Sequence, residues 1–216
     1  AANDSPRLEA LWARHGDEVQ AAQRLRHRVF AEEMGARLRP PPGTPAGLDA
    51  DVYDRFCEHL LVRTVETDTQ PARVVGTYRV LTPAAARLVG GLYSETEFDL
   101  TRLRHRLSTA AELGRSCVDA DFRSGAVILL LWSTLAEFMN RNGLRVMVGC
   151  ASVPMRDGGH AAASLWRQLQ RSHLAPIEYR VRPRLPLPVD ELRGDLDVEA
   201  PALIKGYLRC GARVLG

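Results

Sequence analysis

The chain has 216 residues, 45% hydrophobic and 25% charged, which fits one globular domain with a real core and gives no sign of a second domain. Net charge is only +3, yet Lys205 is the single lysine among 29 basic residues, and arginine favours bidentate contacts to phosphate and carboxylate wherever it clusters. No apolar run has the length of a membrane span and the first residues lack the regions of a signal peptide, so the expected location is the cytoplasm. Cys57, Cys117, Cys150 and Cys210 are widely spaced with no C-x-x-C pair; they read as buried thiols rather than a zinc site or a disulfide framework. Aromatic residues make up 6% and do not interleave with the basic patches, so no nucleic-acid partner is expected.

In chain order, residues 8–14 predict a short strand, and Asp17 then caps a helix carrying Val19, Ala22, Leu25, Val29, Phe30 and Met34, which ends at Gly35. Arg24, Arg26, Arg28 and His27 crowd its C-terminal half, where the helix dipole favours cations, and a solvated face is the plain expectation for most of them. Residues 39–47, rich in Pro and Gly, form a loop. Asp49, Asp51 and Asp54 follow around Tyr53; this acidic knot lacks the Gly turn and closing Glu of a calcium loop and reads as an anchor for arginines or for a cationic substrate. Residues 59–66 and 73–82 form a hairpin across a polar turn containing Pro71. A helical turn at 84–88 and a loop from Gly90-Gly91 lead to YSETEFDL at 93–100. After a strand at 110–118, a helix from Gly125 carries Val127, Ile128, Leu131, Leu135, Phe138 and Met139 and closes at Asn142-Gly143. A strand at 145–151, a helix at 160–171 with Leu165, Trp166 and Leu169 inward, a strand at 177–182, a Pro-rich stretch, a helix at 200–209 and the start of a strand at Arg213 complete the chain.

Residues 112–125, ELGRSCVDADFRSG, are the stretch expected to carry chemistry. Glu112 and Arg115 are three apart and would face opposite ways in a regular strand, but a bulge at Gly114 would reset the parity and let them share a face. Arg123, Ser124 and Gly125 leave the first N–H groups of the following helix accessible, an arrangement suited to phosphate. Two readings stand side by side: an ordinary ion pair and helix cap, or a site. A P-loop, a G-x-S-x-G elbow, a G-x-G-x-x-G turn and a His followed five positions later by Asp are all missing, which removes several common chemistries.

These residues carry a resemblance. RHRVFAEEMG at 26–35, DADVYD at 49–54, VGTYRVL at 75–81, YSETEFDL at 93–100, ELGRSCV at 112–118, FRSGAVI at 122–128, GCASVPM at 149–155, HLAP at 173–176 and RVRPRLPLP at 180–188 together resemble the GNAT acyltransferase superfamily, and more closely the ornithine-lipid N-acyltransferases. The resemblance implies an α+β, GNAT-like fold with a mixed central sheet, a bulged fourth strand and flanking helices. It implies transfer of a 3-hydroxyacyl group from acyl carrier protein to the α-amine of ornithine. Cys117, Val118, Arg123, Ser124 and Gly125 would grip the phosphopantetheine; no metal and no cofactor beyond the donor's own 4′-phosphopantetheine is expected.

The chain is also similar to the acyl-homoserine-lactone synthases. Their arginine and phenylalanine of the first helix match Arg28 and Phe30, their paired acids Asp51 and Asp54, their hairpin arginine Arg79, and their Glu-x-x-Arg Glu112 and Arg115. Their tryptophan soon after the first helix has no counterpart near 36–40, which argues against lactone synthesis. The chain ends at Gly216, before the acidic-aromatic segment usual in ornithine acyltransferases, which leaves open a further C-terminal segment. The expected mechanism is direct transfer, with an N–H of the 114–117 bulge stabilising the oxyanion and Glu112 as base. Arg79 and Arg115 would fix the network or receive the acceptor's carboxylate. Asp51 and Asp54 would orient Arg28 or meet its distal ammonium, and Ser152 is a pantetheine or acceptor ligand or a plain turn residue. The alternatives are a lactone-synthase-like enzyme and a non-catalytic module that binds acyl carrier protein or the inner-membrane surface.

Overall fold

The computed structural model describes residues 6–216. In chain order it contains β1 Leu8–Trp12, α1 Gly16–His27, a π-helical segment Arg28–Glu33, β2 Glu58–Thr64, β3 Val74–Leu81, α2 Pro83–Val89, α3 Ser94–Glu97, β4 Phe98–Asp99, α4 Arg104–Leu107, β5 Ala110–Val118, α5 Ala126–Arg141, β6 Val146–Val148, α6 His160–Ser172, β7 Arg182–Pro183 and α7 Ala202–Arg209. The chain folds as two compact units: one runs to Leu92 and resumes over Ser108–Gly149, the other comprises Tyr93–Leu107 and Cys150–Gly216.

The first unit is a five-stranded mixed sheet in the order β1-β2-β3-β5-β6, antiparallel except for the parallel pair β5 and β6. Its bulged strand, β5, is the fourth of the sheet in chain order. β2 and β3 read as near-continuous apolar runs because both faces are covered: Leu60, Leu61, Val62, Val75, Tyr78 and Val80 are buried. On one face α5 lays down Val127, Leu131, Leu135 and Met139, a stripe at helical spacing. Gly76 lets it approach, since a Cβ there would lie 2.4 Å from Val127 Cγ1. On the other face α1 and the π-helical segment bring Leu25 and Val29 against Cys117 of β5, with Phe30 and Val74 packed around them.

Several local details differ from the sequence reading. α1 starts at Gly16, with Asp17 in its first turn, because the Glu18 carboxylate folds back to accept from the N–H groups of Arg14 and His15 at 2.6 and 3.3 Å. Arg26 is fully buried rather than solvated. Of the four free thiols, Cys117 is buried, Cys57 half-buried, and Cys150 and Cys210 are exposed.

In the second unit, β4 and β7 form a two-residue antiparallel ladder, Phe98 opposite Pro183 and Asp99 opposite Arg182. The expected strand over 177–182 is instead a 3-10 turn, Ile177–Tyr179, followed by the short β7, because Pro176 and Pro183 leave little room for a ladder. Val214 does bridge to Leu174, as the strand-like Arg213-Val-Leu suggested. Ser164 of α6 is buried and ties down the tail: its hydroxyl donates to the Arg193 carbonyl at 3.0 Å and accepts from the Leu196 N–H at 3.2 Å. Among the described residues no helix is long and apolar enough to cross a membrane.

Candidate active site

Gly114 lies opposite Arg79 and Cys117 opposite Thr77, so Arg115 and Ser116 together face the single residue Tyr78. The bulge therefore sits at Arg115, one residue beyond the Gly114 of the sequence reading. Arg115 itself takes the left-handed conformation, φ 51°, and no other described non-glycine residue has a positive φ. Cross-strand partners share a face, so Glu112, Gly114 and Cys117 point with Arg79 toward the α1 side. Arg115, released from alternation by the bulge, reaches Asp49 and Asp51 on that same side. The acid and the arginine do share a face.

That face holds a chain of alternating charges. Arg26, with no exposed side-chain surface, meets Asp49 through Nε at 2.9 Å and grips Asp54 through Nη1 at 3.1 Å and Nη2 at 2.7 Å, with Nη2 also donating to the Asp49 carbonyl. Arg79 Nη1 donates to Asp54 at 2.9 Å and Asp51 at 2.6 Å. Arg115 Nη2 closes on Asp51 at 3.2 Å, while its Nε stands 3.3 Å from Asp49 without the alignment of a hydrogen bond. Gln23 donates to Asp54 at 2.9 Å, and His59 Nε2 lies 2.8 Å from the Asp54 carbonyl.

Three arginines thus face three aspartates in a site largely removed from water. Burial works to raise the Asp54 carboxyl, but the hydrogen bond and charge of Arg26, then those of Arg79, overcome it and hold the group well below the ordinary carboxylate range. Burial likewise works to lower Arg79, and Asp51 more than reverses it. His59 has no such compensation: burial depresses its imidazole despite the Asp54 carbonyl. Cys57, near the same charges, is pushed up to about 12 by burial and stays a thiol.

Two assignments are corrected here. Asp54 holds Arg26, not Arg28, and its oxygens already accept from Gln23, Arg26 and Arg79, so it has no capacity left for an acceptor's ammonium. Arg28 instead reaches Asp119 at 3.2 Å. Arg26 was legible in principle: it falls one turn after Ala22 on the buried stripe with Leu25 and Val29, a phase that a solvated arginine would not occupy.

Among the described residues, the pairing of β5 with β6 stops at Glu112–Val148, whereas β5 continues to Val118. Just past that ladder the backbones still run close, since a Cβ on Gly149 would lie 2.5 Å from the Leu113 carbonyl oxygen. Residues 113–118 of β5 therefore outrun the ladder with β6, directly before the turn that enters α5 at Gly125, φ 102°. In that turn Arg123 donates from Nε to the Val118 carbonyl at 3.1 Å and from Nη2 to Glu33 at 2.6 Å, and Ser124 is exposed. Cys117 is a core residue whose thiol burial pushes up to about 12; only its backbone remains for a ligand, which narrows the role given to it above. Phe30 packs against that cluster. Ser152 is exposed, in an irregular stretch of the second unit. No group of His, Cys, Asp and Glu among the described residues has the geometry to hold a metal ion.

A mixed sheet with a bulged strand that outruns its parallel neighbour, and a helix entered through an Arg-Ser-Gly turn, define a GNAT acyltransferase, and residues 25–133 match the acetyltransferase (GNAT) domain family. FeeM, an N-acyl amino acid synthase from uncultured soil microbes, shares the fold with a TM-score of 0.50 at 15% identity, over 74% of this chain and 79% of that one. The chain is 38% identical to the L-ornithine N(alpha)-acyltransferase of Agrobacterium fabrum, over 95% of this chain and 73% of the relative. It is 37% identical to that of Rhodobacter capsulatus, over 95% and 82%. It belongs to the L-ornithine N(alpha)-acyltransferase family and is an N-acyltransferase.

Proposed function

We propose that the enzyme moves a 3-hydroxyacyl group from the phosphopantetheine thiol of acyl carrier protein to the α-amine of ornithine, giving lyso-ornithine lipid. The observation that carries this reading is the bulge at Arg115, which brings Glu112 and Arg115 to one face of β5 just past the end of its ladder with β6. The acceptor comes from the names of the relatives at 38% and 37% identity.

The pantetheine arm runs along β5 beyond the end of that ladder, its phosphate meeting Arg123, Ser124 and the N-terminus of α5. The amine nitrogen attacks the thioester carbonyl, an N–H of the bulge receives the oxyanion, the C–S bond breaks, and the carrier thiol leaves with a proton. The attacking amine must first be neutral; with a pKa about 2 units above ambient pH, that step costs about 2.7 kcal/mol. Glu112, directly or through a water, takes the proton. Asp51, less buried than Asp54, meets the side-chain ammonium, and Arg115, the most exposed arginine of the network, meets the carboxylate. The reaction belongs in the cytoplasm, with peripheral contact at the inner membrane for an amphiphilic product. Acyl carrier proteins are acidic, so donor binding weakens as salt rises.

The test is incubation with 3-hydroxyacyl carrier protein and ornithine, lysine, glutamine or S-adenosylmethionine, read by mass spectrometry, for the wild type and Glu112→Gln. The expected result is an open N-acyl ornithine from the wild type, and in the variant a loss of most turnover at neutral pH that recovers as pH rises. Methylthioadenosine released from S-adenosylmethionine, with no reaction on ornithine, would overturn the acceptor; full activity in Glu112→Gln would overturn the base.

A further inference from the structure

The turn between β5 and α5 is not held by its own residues alone. Asp119 follows Val118 directly and is 5% exposed. Its backbone N–H donates to the Val75 carbonyl at 2.8 Å, and its side chain accepts from the Asp121 N–H at 3.2 Å, capping the 3-10 turn Ala120–Phe122. Its Oδ2 meanwhile accepts from Arg73 at 2.5 Å and from Arg28 at 3.2 Å. Arg73 enters from the start of β3 and also stands over the Phe122 ring at 5.8 Å. Arg28 comes from the π-helical segment, whose other end holds Arg123 through Glu33. One buried carboxylate therefore ties two separate pieces of chain to the first residue of the turn. Glu33 ties the same segment to the fifth.

A turn needing only a cap would be served by the Asp119–Asp121 hydrogen bond. Two guanidiniums converging on the same oxygen from outside the turn do something more: they fix where the turn lies relative to the end of β5. We propose that Asp119 is a positioning residue for the acyl donor. Through Arg28 and Arg73 it holds residues 120–125 at the distance from β5 at which one pantetheine arm spans the thioester site and the phosphate. This rests on the reading of that turn as the donor's phosphate site. Burial works to raise the Asp119 carboxyl, and the hydrogen bond from Arg73, the Asp121 N–H, the charge of Arg73 and the hydrogen bond from Arg28 together outweigh it, so the group is held below the ordinary carboxylate range and the clasp persists at neutral pH.

The discriminating variant is Asp119→Asn, which retains a cap acceptor but removes the charge that gathers Arg28 and Arg73. It is compared with Arg123→Gln and with the double variant Arg28→Gln/Arg73→Gln, whose side chains are half-exposed and whose amides can still donate to Asp119. Steady-state kinetics with 3-hydroxyacyl carrier protein and ornithine, each varied in turn, are read alongside the thermal midpoint. A positioning role raises the donor KM about tenfold or more in Asp119→Asn and in the double variant, with acceptor KM and kcat at saturating donor little changed. A merely structural aspartate would lower the thermal midpoint and total activity without separating the two KM values, and that result overturns the proposal. If Arg123→Gln raises the donor KM and Asp119→Asn does not, the inference fails and the donor site stands. If neither moves it, the donor site is wrong and the inference falls with it. Should Asp119→Asn not fold, the double variant decides by the same criteria.

Discussion

Arg26 and Arg28 lie two residues apart on one continuous stretch of helical chain and live in different solvents. The Arg26 side chain is 0% exposed and shares three aspartate contacts with Asp49 and Asp54, whereas that of Arg28 is 43% exposed and holds Asp119 from the rim. Both are Arg–Asp pairs of similar length, so Coulomb attraction alone does not distinguish them. Water does. In the inner network Arg26, Asp49 and Asp54 were stripped of hydration and depend on their partners, while in the outer clasp the arginines keep much of theirs. The inner set is an all-or-none structure and the outer set an adjustable one, which suits a rigid chemical face beside a turn that must receive a mobile arm.

The comparison is broken most directly by removing one partner from each set. Asp54→Ala leaves Arg26 buried with half its contacts gone and should cost about 3–5 kcal/mol in urea unfolding. Arg28→Ala should cost at most about 1 kcal/mol, since Arg73 still satisfies Asp119 and water replaces the rest. Comparable losses in the two variants would show that burial does not separate the regions. The acid limb sharpens the point. Asp54 is held below its ordinary value of 3.8, so the stability it contributes is full above that value and is lost as pH falls through the depressed one. Unfolding free energy measured downward from pH 4 should therefore fall more steeply in the wild type than in Asp54→Asn.

The architecture was largely legible in the sequence, because its signals are periodic and local. The hairpin of β2 and β3, the amphipathic α5 and the interrupted β5 all announce themselves by spacing. What escaped was set by three-dimensional convergence. Arg26 and Arg28 look alike in a basic run, and only the phase of the helix against β3 decides which is swallowed. The bulge was expected at Gly114, the residue that tolerates it most cheaply, yet it falls on Arg115. There the contacts with Asp49 and Asp51 hold an unfavourable backbone in place. Asp119 reads locally as a turn residue, and its two arginines come from 91 and 46 positions away.

Arg115 offers a test of intermediate size. A non-glycine residue in the left-handed region costs about 1–2 kcal/mol, and glycine escapes that at a cost of about 0.4–1 kcal/mol of unfolded-chain entropy. Arg115→Ala and Arg115→Gly lose the same ion pairs, while Asp49 and Asp51 stay paired with Arg26 and Arg79. The glycine variant should be the more stable by up to about 1.6 kcal/mol in urea melts. Equal stability would mean the bulge relaxes once the arginine is gone, and that the inner network is less rigid than the comparison supposes.

The smallest expected effect lies at the outermost contact, Glu33 with Arg123 at 2.6 Å, where the side chains are 36% and 49% exposed. Both ends are hydrated, and ordering two long side chains offsets much of the attraction, so Glu33→Gln should change stability by only a few tenths of a kcal/mol. Added salt should reduce even that, because an ion pair exposed to solvent is weakened by screening ions. Donor binding is a more sensitive readout than stability. In the free enzyme Glu33 occupies the guanidinium proposed for the donor phosphate, and the two acceptors compete for it. Glu33→Gln should therefore leave the melting curve in place and tighten donor binding slightly at low salt, the gain vanishing as salt rises. A weaker donor affinity in this variant would show that Glu33 serves the turn as a strut, and the outer region would then be no more adjustable than the inner one.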